Sequence, residues 1–362
     1  MSYGTLQIEK MTTESGYSLG AGNASSFKNR IINGGMAVFQ RGTAATTDQG
    51  FSVDRWKLVK SNDATESVSQ STDAPTGFSY SLRNTVATGD ATIAAVQYSG
   101  FEQPIEGYNI TDLMWGTANA KPITLSFWVR SSVTGTYTGN VRNNNDTRIN
   151  PFNFTINAAN TWEQKIINVT GDTGGTWQTT TSTGIIVAIY AALGSNYTGG
   201  TAGTWGTTPA FGCGSPVNGI ASNGNIFAIS GVQLEVGTVA TSFDFRSYGT
   251  ELALCQRYLP AFYGSYNYFT GIANSRTQAY VFVPFQVPAR VAPTGVVVNA
   301  ASAFNVTDIT TQNAAASAIS LNVGAINGAQ IIATCTGLTA SRCTQVFSNS
   351  STSNIYFTGC EL

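Results

Sequence analysis

The sequence predicts an all-β protein, with a jelly-roll-like β-sandwich followed by a short helix and a second, smaller β domain. Three observations predict this class. Short runs of β-branched and aromatic residues recur along the 362 residues, turns rich in Gly, Asn and Thr separate those runs, and one stretch alone has clear helical spacing. Many short strands with such turns are typical of sandwiches and jelly rolls.

The chain is long enough for two domains of ordinary size, and changes in composition divide it into four segments. Residues 1–28 are polar and interrupted by glycines, which predicts an extended arm without a core of its own. Residues 29–246 hold most of the strand-like runs and are assigned to the sandwich. Residues 247–260 are assigned to a helical connector, and residues 261–362 to a C-terminal β domain.

The strongest strand prediction is Ile123–Val129, whose odd-numbered residues share one face while Trp128 lies on the other. Ile185–Leu193 is apolar on both faces, as in a central strand of a sandwich. Further strands are expected at residues 31–32, 36–39, 51–53, 56–59, 152–156, 162–167, 226–236, 279–287, 295–298 and 353–357. Three tryptophans are predicted core residues: Trp56, Trp128 and Trp162.

The helix is predicted over Tyr248–Tyr258, where Leu252, Cys255 and Leu259 share one helical face. An acidic residue lies near the predicted amino end and a basic residue near the carboxyl end, which suits the helix dipole. Pro260 then ends the helix, because proline lacks the backbone N–H that a helix needs. We interpret this helix as a short connector between the two β domains.

Composition excludes several classes of function. Histidine is absent, which removes Ser–His–Asp and Cys–His catalysis and most transition-metal sites. Charged residues make up 10% with a net charge of −1 and no basic cluster, so no nucleic-acid partner is expected. The sequence has no apolar run long enough to span a membrane, and residues 1–22 lack the apolar segment of a secretory signal. We expect synthesis in a cytoplasm and no membrane partner.

The five cysteines are widely spaced and form no CxxC motif, which argues against zinc and against a full disulfide framework. We interpret them as small buried thiols, although a pairing of Cys335 with Cys343 across neighbouring strands stays open. The run Asn143–Asp146 carries oxygen ligands of the kind that calcium prefers, but we interpret it as a solvated turn. We expect no cofactor and no metal.

Three groups of short motifs follow one another along the first two thirds of the chain. They are Leu19–Gly35 with Gln40–Gly42; Asp54–Trp56 with Leu125–Val129 and Asn160–Glu163; and Gly231–Gly237 with Ala240–Asp244 and Glu251–Tyr258. Together they resemble a family of bacteriophage tail-fibre and virion-appendage proteins, and the last group is the most specific. The resemblance implies a sandwich similar to carbohydrate-binding modules, followed by a variable C-terminal domain. That family commonly has Asp where this chain has Gly35, which weakens any inference of an ion there.

The resemblance implies a structural fibre protein of the virion, made in the cytoplasm of the bacterial host. Its arm is expected to attach to other virion proteins, with Leu6, Ile8 and Met11 as contact residues, on either the tail or the capsid. Its β domains are expected to bind host cell-surface polysaccharide. Two alternatives stay open: a capsid-decorating head fibre without a receptor role, and a polysaccharide-degrading tailspike.

The tailspike alternative requires a pair of carboxylates about 5–10 Å apart across the sugar. Candidates for such a pair are Glu102, Glu106, Asp112 and Glu163. Sequence does not give their separation, and carboxylates occur in every chain. We therefore expect no enzyme and assign no catalytic residue.

Aromatic residues in polar loops are the candidates for glycan binding, since the flat apolar ring matches the C–H face of a sugar. Tyr197 and Trp205 lie among small polar residues in one loop, and Tyr266 and Tyr268 lie in the C-terminal domain. The alternative for each ring is packing against the sandwich or a neighbouring subunit.

The stretch from Ala300 to Thr344 is rich in Ala, Asn and Thr and has few large apolar residues. A segment of this composition buries little apolar surface within one chain. Fibres are usually built with cyclic symmetry. We therefore expect a homotrimer in which copies of this region pack against one another.

Overall fold

The computed structural model describes residues 28–207, 209–308 and 313–362. It also describes the backbone of two short strands near the N-terminus, β1 (Met11–Thr12) and β2 (Ser18–Leu19). These two strands pair with each other in antiparallel fashion.

The chain divides into two compact units, residues 1–248 and residues 249–362. The arm contacts expected from sequence fall in the first of these ranges. Leu6 and Ile8 lie outside the described residues, and so does the side chain of Met11.

The first unit continues with eleven strands and two 3₁₀ helices. The helices are Gly107–Leu113 and Ser195–Tyr197. The strands are β3 (Gly50–Phe51), β4 (Lys57–Ser61), β5 (Thr65–Ser71), β6 (Ser81–Thr88), β7 (Tyr98–Glu106), β8 (Ile123–Ser131), β9 (Gly135–Arg142), β10 (Ile149–Ile156), β11 (Glu163–Val169), β12 (Thr183–Leu193) and β13 (Ile226–Val236).

These strands form two antiparallel sheets that face each other across one core. One sheet has the order β10-β9-β12-β7-β4-β3, and the other has the order β11-β8-β13-β6-β5. The chain passes repeatedly from one sheet to the other, as between β7 and β8 or between β12 and β13. This alternation is the jelly-roll-like sandwich that the sequence predicts.

The sandwich core follows the alternation of side chains along each strand. In β8, Leu125, Phe127 and Val129 are fully buried, and Trp128 lies half-buried on the other face. Trp56 is a core residue, as predicted.

The core prediction is wrong for the two other tryptophans. Trp128 occupies an outward position of β8, between the core residues Phe127 and Val129. Trp162 precedes β11 and is half-buried, and its Nε1 donates to Oδ1 of Asp73 at 3.2 Å.

The runs at residues 31–32 and 36–39 do not form strands, although both contribute buried side chains. Asn33 lies between them in a left-handed conformation, with φ of 59°. Its side-chain amide donates to the carbonyls of Val38 at 2.7 Å and Asp54 at 3.0 Å. The Asn33 side chain thus supplies hydrogen bonds that a neighbouring strand would supply in a sheet, so these residues do not need a strand partner.

The second unit is also β-rich. Its elements are α1 (Tyr248–Gln256), which begins at the boundary of the units, β14 (Ala261–Tyr263), β15 (Tyr268–Ala273), β16 (Gln278–Pro284), β17 (Gly295–Val298), a 3₁₀ helix (Ala301–Ala303), β18 (Phe304–Thr307), β19 (Ala314–Ala315), β20 (Ala318–Ala325), β21 (Gly328–Thr334), β22 (Cys343–Ser348) and β23 (Asn354–Thr358).

The strands of this unit form two antiparallel sheets around a separate apolar core. The smaller sheet has the order β14-β23-β17, and the larger has the order β19-β18-β22-β15-β16-β21-β20. Phe269, Phe304 and Phe357 are among the buried side chains between them. A sandwich, a short helix and a smaller β domain therefore follow one another, and the predicted fold class is confirmed.

The helix is two residues shorter than predicted. The N–H of Tyr258 bonds to the carbonyl of Cys255 at 2.9 Å, which is a tighter turn than an α-helix has. Cys255 and Leu259 are fully buried, as the helical face in the sequence indicates.

All five cysteines are free thiols, so the possible pairing of Cys335 with Cys343 does not occur. Cys343 is exposed, and the other four are buried as expected. Within the described ranges, no helix combines the length and the apolar character that crossing a membrane requires.

Candidate functional site

A groove of about 410 Å³ lies on the outer face of the six-stranded sheet of the sandwich. Its floor is made by β4, β7, β9 and β12, and loops after β9 and β12 form its sides. The residues that line it are Gln49, Lys57, Val59, Tyr98, Glu102, Arg142, Asn144, Asp146, Ile186, Tyr190, Leu193, Tyr197 and Phe211.

Strand alternation decides which side chains reach this groove. Lys57 and Val59 project outward from β4, and Leu58 between them is part of the sandwich core. In the same way, Glu102 faces the groove while Phe101 before it packs inside. The groove therefore takes alternate residues of strands whose other residues hold the two sheets together.

Aromatic rings build one end of the groove. The ring of Tyr197 packs edge-on against Tyr98, with centroids 5.9 Å apart, and against Phe211, with centroids 5.6 Å apart. Below them lies a small apolar cluster that includes Val59 and Leu193. Edge-on contacts of this kind hold each ring in one orientation while part of its surface stays accessible.

The loop that carries Tyr197 and Phe211 is fixed by backbone contacts. Tyr197 ends a 3₁₀ helix, and its carbonyl accepts a bond from the N–H of Gly212 at 2.9 Å. The carbonyl of Phe211 accepts a bond from the amide of Asn140 on β9 at 2.7 Å. The backbone that carries each ring is therefore held in place by hydrogen bonds.

Charged side chains build the other end. Arg142 is 7% exposed, and its Nη2 lies 2.6 Å from Oε1 of Glu102, itself 4% exposed. The Nε of Arg142 contacts Oδ1 of Asp146 at 2.7 Å, and Nη1 donates to Oδ1 of Asn140 at 3.2 Å. Lys57 Nζ lies 3.9 Å from Oε2 of Glu102. The result is a hydrogen-bonded network with Arg142 at its centre.

Burial shifts the pKa values of two groups in this network. The pKa of Lys57 is lowered by burial, although the nearby Glu102 carboxylate acts in the opposite direction. Burial also raises the pKa of the Asp146 carboxyl above its usual value, against the opposing effect of Arg142. Both shifts have the same cause, which is that the groove removes charged groups from water.

This arrangement combines accessible ring surface with fixed donors and acceptors. Rings of this kind offer flat apolar faces, and carboxylates, amides and ammonium groups offer hydrogen bonds at defined positions. A concave site of a few hundred Å³ lined by aromatic side chains and a small number of polar groups is typical of small-ligand binding sites.

Tyr197 and Trp205 were both predicted from sequence to bind glycan in one loop. The structure places Tyr197 in the groove but not Trp205. Trp205 is half-buried in a cluster with Trp115 and Trp177, with ring centroids 5.3 and 5.5 Å away. Its Nε1 donates to the carbonyl of Thr170 at 2.9 Å. The Trp205 ring therefore packs against the sandwich, which was the alternative to glycan binding for this residue.

Tyr266 and Tyr268 lie in the second unit and are 68% and 53% exposed. Their rings stack with centroids 6.3 Å apart and planes 21° apart. Tyr268 also contacts Phe347, which is its partner on the neighbouring strand β22, with centroids 5.1 Å apart. These three rings make an exposed aromatic strip, hereafter the tyrosine strip.

Of the four carboxylates considered for hydrolysis, only Glu102 lines the groove. Asp112 pairs with Arg30 at 2.6 Å, and Glu163 binds Lys165 and the turn at residues 157–158. Asp146 lies in a turn, as the sequence predicts, with its side chain 37% exposed, and its carboxylate contacts Arg142 in the groove. Among the described residues, no cluster of three or more acidic or cysteine side chains is suited to hold a metal ion.

Several groove residues were missed by sequence reasoning, above all Tyr98, Arg142 and Phe211. They lie on β7, β9 and the loop after β12, so only the sheet order brings them together. The pattern of residues within a short stretch of sequence does not indicate the order of the strands in the sheet.

No protein-family model matches the chain, and no curated protein sequence matches it. Among solved structures, the chain is similar to the enzymatically active domain of tailspike protein 4 from bacteriophage CBA120, at 14% identity and a TM-score of 0.33. That match covers 59% of this chain, and this chain spans 22% of the length of the tailspike chain.

The chain is also similar to two carbohydrate-binding modules. One is TmCBM61 in complex with β-1,4-galactotriose, at 11% identity and a TM-score of 0.30, covering 58% of this chain and 99% of that one. The other is the family 11 module of Clostridium thermocellum, in complex with a mixed-linked tetrasaccharide, at 12% identity and a TM-score of 0.29, covering 57% and 99%. Likenesses at this level do not define a function, which has to be argued from the groove itself.

Proposed function

We propose that this chain is a non-enzymatic structural protein of a bacteriophage fibre, and that the groove of its sandwich binds glycan on the host surface. The observation that carries the binding proposal is the groove, where fixed aromatic rings adjoin a network of fixed polar groups.

The aromatic end suits the apolar face of a sugar. The Tyr197 ring is half-exposed, and Tyr98 and Phe211 prevent it from folding flat onto the sheet. Because the ring is already ordered, little side-chain entropy is lost when a sugar stacks on it.

The charged end suits sugar hydroxyls. A hydroxyl both donates and accepts, so it can donate to Glu102 or Asp146 and accept from Lys57 or Arg142. Hydrogen bonds that involve an ionised partner are stronger than those between neutral groups. Since the network is held in place by its own contacts, these partners need no rearrangement on binding.

The fibre role is supported by the motif resemblance described for the first two thirds of the chain. The N-terminal segment, with Leu6, Ile8 and Met11, attaches the protein to other virion proteins, and the chain is located in the virion. Copies associate as a homotrimer, to which exposed apolar side chains such as Ile272 and Phe282 on the second unit are suited. Several linked grooves then bind a surface tightly even where each is weak.

The tyrosine strip is a second candidate contact for glycan, with Tyr266 and Tyr268 as the stacking residues. Trp205 lies between Tyr197 and Phe211 in the chain, and its packing against Trp115 and Trp177 anchors this connection to the sandwich without contact with the sugar.

The non-enzymatic role is supported by the state of the groove carboxylates. Hydrolysis needs one carboxyl group positioned to protonate the glycosidic oxygen and a second to act opposite it. Glu102 and Asp146 are instead both bound to the same guanidinium, that of Arg142.

Binding to an array of bacterial surface polysaccharides tests the proposal. The wild-type protein should bind at least one polysaccharide without releasing reducing sugar. Tyr197→Ala should weaken that binding about tenfold, a loss of about 1.4 kcal/mol, because the stacking surface is removed.

Tyr108→Ala is the matched control. Tyr108 is also an exposed tyrosine of the sandwich, 58% accessible, but it does not line the groove. Thermal unfolding should show that both variants are folded. If Tyr197→Ala binds as the wild type does, the groove is not the glycan site, and if reducing sugar appears, the protein is an enzyme.

A further inference from the structure

We infer that the groove selects uncharged oligosaccharide and rejects glycans that carry carboxylate or phosphate groups. This inference rests on the proposed glycan function and adds to it the chemical class of the ligand.

The formal charges that line the groove balance. Two cations, Lys57 and Arg142, face two anions, Glu102 and Asp146, and the other lining side chains are uncharged. The groove therefore has no net attraction for an anion, in contrast to sites that bind uronates or phosphates through surplus arginine or lysine.

Each cation is also already engaged. All three guanidinium nitrogens of Arg142 have protein partners, at distances from 2.6 to 3.2 Å. Lys57 Nζ donates to Oε1 of Gln49 at 2.8 Å and lies 3.9 Å from the Glu102 carboxylate. Each cation therefore already has a carboxylate beside it, and an anionic sugar that approached either cation would compete with that carboxylate.

Displacing Glu102 from Arg142 is unfavourable because the Glu102 carboxylate is buried. Glu102 is 4% exposed, and a buried charge that loses its partner costs far more than a surface one. A bound anion would also lie close to both Glu102 and Asp146, and like charges at such range repel.

A neutral hydroxyl has neither problem. It bridges an engaged pair by accepting from the cation and donating to the anion, without separating them. The ion-paired network thus forms hydrogen bonds with hydroxyl groups and repels acidic substituents. Both effects favour neutral over acidic sugars.

The test compares two sets of probes of equal length, neutral gluco-, galacto- and manno-oligosaccharides and the corresponding oligoglucuronates and oligogalacturonates. We expect the wild-type protein to bind at least one neutral probe at least about tenfold more tightly than any acidic probe. Affinities are measured by titration calorimetry at one ionic strength.

Two variants change the charge balance. Glu102→Gln removes the negative charge between Lys57 and Arg142. Asp146→Asn removes the negative charge of the second partner of Arg142, at a half-exposed position where folding is less at risk. Each should reduce the preference for neutral probes about tenfold or reverse it.

Asp112→Asn is the matched control. It makes the same change in net charge, but Asp112 pairs with Arg30 and does not line the groove. The control should keep the wild-type preference.

The outcomes separate the two ideas. Wild-type binding to acidic probes as tight as to neutral ones, or an unchanged preference in folded Asp146→Asn, overturns the charge-selection inference and leaves glycan binding intact. Binding to no probe in either set, and to no polysaccharide on the array, overturns the proposed function and this inference with it.

Discussion

The groove of the sandwich and the tyrosine strip of the second unit both expose aromatic rings, and they are built in opposite ways. The groove of the sandwich has its rings at one end and, at the other, four charged side chains that contact one another. The outer face of the seven-stranded sheet in the second unit has no charged residue on its outward strand positions. Instead Tyr268 lies opposite Phe347, and Ile272 lies opposite Tyr280.

The presence or absence of charged groups beside the rings determines what each surface can recognise. Rings alone offer stacking, which depends little on the identity of the partner. Rings beside oriented donors and acceptors also impose positions on polar groups, and this is the source of specificity in small-ligand sites. We therefore assign selective recognition to the groove, and weak stacking or subunit packing to the face of the second unit.

The largest expected effect comes from the centre of the groove network. Arg142→Ala removes the closer cation from the buried Glu102 and leaves Lys57 Nζ 3.9 Å away. We therefore expect it to lower the free energy of unfolding by about 3 kcal/mol and to abolish glycan binding. Urea unfolding and array binding measure the two effects.

Arg83→Ala is the matched control on the other sheet, where Arg83 lies 4.0 Å from Asp73 with both side chains about a third exposed. Exposed pairs of this kind contribute at most about 1 kcal/mol. Equal destabilisation by the two variants would contradict a special role for the Arg142 network.

A smaller effect is expected in the loop after β12, outside the lining of the groove. Trp205→Ala removes a half-buried ring from the cluster with Trp115 and Trp177, and we expect a loss of about 2 kcal/mol, below the range for a fully buried tryptophan. Glycan binding should weaken because the loop that positions Tyr197 loses support.

Trp205→Phe retains most of the packing and should cost about 1 kcal/mol, since it loses only the bond to Thr170 and part of the ring. If Trp205→Ala instead unfolds at the wild-type temperature and still loses binding, Trp205 contacts the sugar directly, as the sequence alone suggested.

Much of the fold follows from local pattern. The strand predicted at residues 226–236 is observed over the same residues, Ile226–Val236, and the prediction at 185–193 is extended by two residues in β12. Both strands lie in the centre of their sheets. β12 is apolar on both faces over Ile185–Leu193, and β13 is recognisable from its apolar residues although it also carries the buried polar residues Ser230, Gln233 and Glu235. In contrast, the run predicted to continue to residue 287 ends at Pro284, because proline cannot donate to the ladder.

The groove does not follow from local pattern. Glu102 and Arg142 are 40 residues apart and meet because β7 and β9 both pair with β12. Sequence reasoning found Tyr197 because an aromatic ring in a polar loop is visible locally. It placed Asp146 correctly in a turn but missed the contact of its carboxylate with Arg142, the last residue of the strand before that turn.

The tyrosine strip should give a smaller effect than the groove. Tyr266→Ala and Tyr268→Ala remove exposed rings, so stability should change by no more than about 0.5 kcal/mol. Adsorption to host cells should fall only a few-fold, because the grooves of linked copies remain.

Tyr108→Ala again serves as the exposed-tyrosine control. A loss of adsorption larger than that of Tyr197→Ala would reverse the assignment, making the second unit the principal receptor site.

The smallest expected effect is on the pH dependence of stability, which should change for a variant in the groove but not for one in the tyrosine strip. Burial raises the pKa of Asp146 above its usual 3.8, so the folded protein binds this proton more tightly than the unfolded chain does. The contribution of Asp146 to stability is therefore present below about pH 4 and is lost as pH rises through the raised value. Asp146→Asn should flatten the dependence of unfolding free energy on pH in this range. Tyr266→Ala should keep the wild-type profile, because it removes no carboxylate and the ring contact shown for Tyr266 is with Tyr268. Chemical unfolding at a series of pH values from about 3 to 6 measures both; a profile for Asp146→Asn as steep as that of the wild type would show that Asp146 is as well solvated as the sequence implied.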